Sequence, residues 1–178
     1  DKVPGEPTKE PAFGLDALWI SEENRERAEI AGYTVVDAPS VLATHLTEVI
    51  KNHAHELLGR QEVQTLLDSL RNDYSAVISE LVPNLMTVGE IQKVLQNLLR
   101  EQVPIRNLVT ILEALADAAA ISKDIDYLTE YVREALARQI SRQYLENDIL
   151  SVLTLDQKWE TVIAEGIEHT ERGSIISV

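Results

Sequence analysis

The apolar positions of this chain change their period three times. Residues 1–14 carry Pro4, Pro7 and Pro11 together with Gly5 and Gly14, a composition that predicts an extended connector. Leu15–Ile20 is a short apolar run and predicts a strand. Ser21 then stands where it can cap an acidic, polar helix over Glu22–Ala31, and Gly32 is placed to end it. Tyr33–Val36 is β-branched and predicts a second strand. Strand, helix and strand in so few residues make a small crossover unit. Two strands cannot bury both faces of a sheet, so this unit must lean on another surface.

From Asp37 onward the period becomes helical. Asp37 can cap the next helix, with Pro39 in its first turn. Val41, Leu42, Leu46, Val49, Ile50, Leu57 and Leu58 keep helical spacing up to Gly59. A second helix follows with Val63, Leu66, Leu67 and Leu70, and a third with Val77, Ile78, Leu81 and Val82 before Pro83. Thr87-Val88-Gly89-Glu90 is a capping box, with Met86 and Ile91 placed as a hydrophobic staple. Ile91, Val94, Leu95, Leu98 and Leu99 form one apolar stripe. Leu108, Ile111, Leu112, Leu115 and Ala116 form another beyond Pro104. Ser122 and Asp124 can cap a helix over residues 124–145 that carries Leu128, Val132, Leu136 and Ile140. Ile149–Leu155 then predicts a strand, Asp156 a cap, and Trp159, Val162 and Ile163 a further helix. The terminal Ser174–Val178 run predicts an apolar strand with no partner after it. The fold class expected is therefore α+β and mostly helical. A bundle over 38–145 is flanked by partial small α/β units at 1–37 and 146–178.

Composition narrows the functional classes. The chain has 178 residues, 44% of them hydrophobic but only 4% aromatic, so its core must be aliphatic. A chain of this length can bury about 70% of its unfolded surface. The formal net charge of −14, from 30 acidic and 16 basic side chains, repels phosphate backbones and anionic lipid. The pattern leads us to expect no nucleic-acid partner. It favours a basic or apolar partner patch. Without cysteine there is no disulfide, thiolate metal site or Cys nucleophile. No stretch reaches the roughly 18 apolar residues of a membrane span. The opening on Asp1, within a Pro/Gly-rich stretch, leads us to expect a piece of a longer protein.

Catalytic readings fail one by one. His45, His53, His55 and His169 lack metal-ligand spacing, because residues two apart on a helix do not face one another. Two solvated helix positions are the expectation for His53 and His55, with no metal. The carboxylate pairs Glu22–Glu23, Asp124–Asp126 and Asp148–Asp156 read as solvated faces and caps rather than an acid–base couple. The seven glycines are dispersed, and neither a phosphate loop nor Gly-x-Ser-x-Gly occurs, so no cofactor is expected. The helices around Pro104 suggest a helix-turn-helix. However, Arg106 is followed by Glu113 and Asp117, and an ordinary helical hairpin fits better. We expect no enzyme; an acidic hydrolase is the alternative of another class. Phe13, the only Phe, lies between Pro11 and Gly14 and off any periodic face. It either plugs a local crevice or lines a binding hollow with Glu10 at its rim.

The strings Glu10-Pro11-Ala12-Phe13-Gly14-Leu15-Asp16-Ala17-Leu18-Trp19-Ile20, Thr44-His45-Leu46, Gly59-Arg60-Gln61-Glu62, Lys93–Leu99, Val103-Pro104-Ile105-Arg106 and Thr110–Ala116 resemble the flagellar export-gate family of bacterial type III secretion. The match runs over roughly residues 5–145 and more loosely beyond. The resemblance implies an inner-membrane protein of which this chain is a cytoplasmic segment. It also implies a ring of nine copies in the full protein. Partners would be flagellar chaperone–substrate complexes, the export ATPase complex and a partner gate protein. It divides the chain into 1–37 (end of a small α/β subdomain), 38–57 (a linking helix), 58–137 (a helical subdomain) and 138–178 (start of a terminal α/β subdomain). It places Glu10, Phe13 and Thr44 on a chaperone-docking hollow, with Val36 nearby. Many relatives carry Asp in place of Glu10, one methylene shorter. Part of the hollow would be supplied by chain outside this segment. The gate of a virulence injectisome shares this architecture and is the second reading.

Overall fold

The computed structural model describes residues 3–170 and 173–177. The chain divides into two compact units, Asp1–Ala54 and His55–Val178. The fold is α+β and mostly helical, as expected.

The first unit opens on an antiparallel hairpin. Strand β1 (Glu6–Lys9) pairs with β2 (Asp16–Trp19), with Pro7 opposite Leu18 and Lys9 opposite Asp16. The proline-bearing segment is therefore a strand rather than a connector. Proline is tolerated there because β1 is an edge, where no ladder donor is needed. A 3-10 turn (Glu22–Asn24) leads into helix α1 (Arg25–Ile30). Gly32, at φ 85°, ends it in the left-handed region, with Tyr33 N–H donating to Ala28 O. The strand expected at Tyr33–Val36 is absent. A β-branched run becomes a strand only beside a partner, and β2 takes its partner from β1 instead. The unit is thus a hairpin and helices, not a crossover. Asp37 caps helix α2 (Ala38–Leu57) as expected, accepting from Ser40 N–H at 2.8 Å. No residue of α2 is buried: Leu42 is 67% exposed and Leu46 55%. A two-stranded sheet offers too little apolar surface to cover a twenty-residue helix.

The second unit holds the core. Helices α3 (Arg60–Leu70), α4 (Ser75–Glu80), α5 (Val88–Arg100), α6 (Leu108–Ala119) and α7 (Ile125–Ala135) follow the predicted order. Helix α7 packs on both α5 and α6, α3 on α5, and α4 on α6. The predicted stripes point inward: Ile91, Val94, Leu95 and Leu98 are fully buried, as are Ile111, Leu112 and Leu115. Each such side chain removed from water contributes about 1.5–3 kcal/mol. The one buried polar residue among those described, Thr129, donates to Ile125 O and accepts from Asn97 Nδ2. Asp124 caps α7 through the amides of Asp126 and Tyr127. The helix expected to run to 145 breaks at Leu136 into α7 and a short α8 (Ala137–Gln143).

Beyond it β3 (Leu145–Glu146) and β4 (Ile149–Leu150) are joined by Asn147 and Asp148, both at positive φ. This is the two-residue loop that matches strand twist. The strand expected to reach Leu155 stops at Leu150 because β3 offers only two paired positions. Asp156 caps α9 (Gln157–Gly166), and the chain closes on a hairpin of β5 (Ile167–Thr170) and β6 (Gly173–Ile176). The terminal strand therefore has a partner, which precedes it. Val178 and the opening Asp1 lie outside the described residues. No helix among the described residues is long and apolar enough to cross a membrane.

The capping box on α5 forms in both directions. Thr87 Oγ1 accepts from Glu90 N–H at 3.2 Å, and Glu90 Oε2 accepts from Thr87 N–H at 2.7 Å. The Thr87 amide and hydroxyl hold the Glu90 carboxyl below its ordinary value of 4.5. A group whose folded value is depressed stabilises the fold above its unfolded value. That contribution is lost as pH falls through the folded one. Thr87→Ala is expected to cost about 1 kcal/mol in denaturant unfolding. Glu90→Gln, which keeps an acceptor but does not titrate, is expected to lose less stability than the parent when the pH drops below 4.5.

Candidate functional site

The four expected site residues all fall in the first unit, on three separate pieces of chain. Glu10 and Phe13 sit in the loop joining β1 to β2, Val36 in the irregular stretch before α2, and Thr44 in the second turn of α2.

The structure binds the first two together. Glu10 closes the loop with its backbone, donating to Leu15 O and accepting from Gly14 N–H, both at 2.8 Å. Its carboxylate then reaches over the loop interior. Oε1 accepts from Ala12 N–H at 3.0 Å and Oε2 from Phe13 N–H at 2.7 Å. Gly14 takes φ 71°, where a side chain would be strained. A carboxylate accepting from amides two and three residues on is the arrangement that makes Asp and Asn turn formers. Glu reaches the same amides with one methylene more. Glu10 is half-buried, and each of its oxygens keeps a second lone pair for another donor.

Phe13 is 62% exposed, so it plugs no crevice within the described structure. Its backbone is fixed by Glu10 while its ring faces solvent. Leu15 and Trp19 of the same hairpin are also exposed. Val36 is exposed, and Thr44 is exposed with its hydroxyl donating to Ser40 O at 2.9 Å. That back-bond stays within α2 and joins Thr44 to neither Glu10 nor Phe13. The structure thus assembles Glu10 with Phe13 and leaves Val36 and Thr44 on their own elements. The residue pattern did not point to the exposed apolar companions Leu15 and Trp19. Their signal was the apolar run Leu15–Ile20, which predicts a strand but does not say which of its faces is covered.

Elsewhere the chemistry is sparse. An open cavity of about 520 Å³ in the second unit is lined by Tyr127, Tyr131, Ala137 and Ile140 among others, and a neighbour of about 340 Å³ by Asn97, Arg100 and Thr129. Neither contains an expected site residue. Among the described residues no group of three or more His, Asp or Glu is placed to hold a metal. His53 is exposed as expected. His55 departs from expectation: it is half-buried, and its carbonyl accepts from Gln96 Nε2 at 3.2 Å.

The comparisons with known proteins agree in direction. The model of the FHIPEP family matches residues 1–178. The flagellar biosynthesis protein FlhA of Bacillus subtilis is 51% identical over 179 aligned positions, covering 100% of this chain and 26% of that protein. The chain therefore spans about a quarter of that relative's length. Among solved structures, CdsV in the Chlamydia pneumoniae CdsV and CdsO protein complex superposes with a TM-score of 0.82 at 29% identity. That match covers 91% of this chain and 48% of the other. The nonameric EPEC SctV-C superposes with a TM-score of 0.72 at 30% identity, over 88% and 48%.

Glu10→Ala is expected to speed hydrogen exchange at the Ala12 and Phe13 amides by roughly tenfold, the equivalent of about 1.4 kcal/mol for a charge-assisted bond. The amides of the α5–α7 core are expected to stay unchanged, and two-dimensional NMR exchange reads both.

Proposed function

The chain belongs to the FHIPEP family, and from that membership we propose that it is a docking platform of the flagellar protein export gate, receiving chaperone–substrate complexes for type III export. The observation that carries the reading is the Glu10–Phe13 loop. A phenyl ring is held in solvent by a loop whose backbone is bonded to a carboxylate. An exposed aromatic of this kind supplies an apolar anchor, the contact on which binding energy concentrates. Glu10 orients Phe13 through its amide and offers its remaining lone pairs to a donor on the chaperone. Thr44 and Val36 complete the wall of the docking hollow together with chain beyond this segment.

The protein as a whole, on this reading, sits in the inner membrane with this segment on its cytoplasmic side. Segments 1–37, 38–57, 58–137 and 138–178 belong to successive parts of its cytoplasmic subdomains. The nonameric SctV-C supports assembly into a ring, and the CdsV–CdsO complex supports a second protein partner, which we assign to the export ATPase complex. A partner gate protein completes the set. The platform does no chemistry of its own. The 51% identity with a protein named for flagellar biosynthesis supports the flagellar role over an injectisome gate.

Calorimetry with a purified chaperone–flagellin complex tests the proposal. Phe13→Ala is expected to weaken binding by about 1–3 kcal/mol and to leave the melting temperature unchanged. Equal loss of melting temperature and binding makes Phe13 a packing residue and ends the docking reading.

A further inference from the structure

The break between α7 and α8 opens a place on the surface of the second unit. Residues on both sides of Leu136 line the open cavity of about 520 Å³. Its apolar wall is made by Ala137 and Ile140 of α8 and by the rings of Tyr127 and Tyr131, whose centroids stand 6.3 Å apart at 40°. Glu130 and Glu134 bring carboxylates to the same cavity. The neighbouring cavity of about 340 Å³ shares Glu130 and adds Asp126 and Glu101, so the two form one trough along α7. Asp126, Glu130 and Glu134 recur every fourth residue. They share one face of the helix and stand about 6 Å apart along its axis.

Two guanidinium groups line the same trough. Arg133 is taken up by Glu101 and Glu130, and Arg100 donates to Asn97 Oδ1 at 2.9 Å. Four carboxylates against two guanidinium groups leave an excess of negative charge. Among the described residues neither Asp126 nor Glu134 enters a salt bridge. An anion is repelled here, and a purely apolar ligand would bury carboxylates without partners. A cation on an apolar stem meets both walls: the stem lies on Ala137 and Ile140, and the head lies over a tyrosine face beside Glu134. A single side chain does not span three carboxylates. Alternate residues of an extended chain repeat about every 6.6 Å on one face, close to the carboxylate spacing.

We infer that the trough along α7 and α8 docks an extended basic segment of a partner polypeptide, with arginine or lysine at alternate positions. A second copy of this chain, at −14, is opposed by charge. The inference concerns the second unit alone and does not rest on the docking reading, whose residues all lie in the first.

A fluorescein-labelled heptapeptide of alternating arginine and alanine tests it by anisotropy, in about 50 mM salt where surface charges are only partly screened. The peptide is expected to bind the whole chain. Asp126→Asn with Glu134→Gln is expected to weaken binding roughly fivefold, the loss of two exposed ion pairs. The Asp124 cap uses only the Asp126 amide and survives this change. Tyr127→Leu is expected to weaken binding roughly threefold through loss of the ring face. Glu113→Gln with Asp117→Asn removes the same charge from exposed positions of α6 and is expected to leave binding unchanged. Equal weakening by the two charge-removing pairs reduces the effect to general attraction and overturns the inference. So does absence of binding, or equal binding of a leucine–alanine peptide. Spermidine that binds as tightly and displaces the peptide makes the trough a polyamine site and overturns the polypeptide occupant. Peptide-induced amide shifts confined to residues 126–141 and the facing end of α5 support the trough, and shifts centred elsewhere refute it.

Discussion

The structure depends on the burial of aliphatic stripes from α5 and α6 against α7. With so few aromatic residues, the core gains its stability from many interdigitated Leu, Ile, Val and Ala side chains rather than from a few large rings. That choice constrains everything nearby. Each stripe must keep its register, so helix starts are pinned by side chains: Thr87 with Glu90 at α5 and Asp124 at α7. The single buried polar residue described, Thr129, is satisfied by Ile125 O and Asn97. An unpaired hydroxyl in so apolar a setting costs more than the bond itself contributes.

The first unit shows what the same residue types do without such a core. Its leucines, Trp19 and Phe13 stay in solvent, and its order comes from local bonds: the hairpin ladder, the Glu10 carboxylate over its loop, and the Asp37 cap. A surface of this sort suits contact with other chains. A rigid loop presenting an aromatic binds at lower entropic cost than a flexible one.

The legible parts of the fold were those fixed by contacts near in sequence. Thr87-x-x-Glu90, the Ile91–Leu98 stripe and the Asp124 cap all formed as their spacing predicts. The misread parts were strands, whose existence depends on a partner that composition does not name. Tyr33–Val36 had the right residues and no neighbour, while Glu6–Lys9 contained a proline and found one. The break at Leu136 carries neither Gly nor Pro and gives no warning. The candidate site was suggested only by family resemblance. Its residues alone left Phe13 between core and surface, because exposure is a property of the whole fold. The Glu10 bonds to its own loop were hidden for another reason: a glutamate reads as a surface charge until the backbone beside it is known.

Both tryptophans lie outside the aliphatic core: Trp19 is 51% exposed at the end of the hairpin and Trp159 is 59% exposed on α9. Intrinsic tryptophan fluorescence is consequently nearly blind to the bundle. Its emission follows the environment of two peripheral elements in different units, because helices α5–α7 carry no tryptophan of their own. Far-ultraviolet ellipticity and heat capacity see that core directly. Disagreement between optical and calorimetric transitions in this protein is therefore a matter of where its chromophores sit.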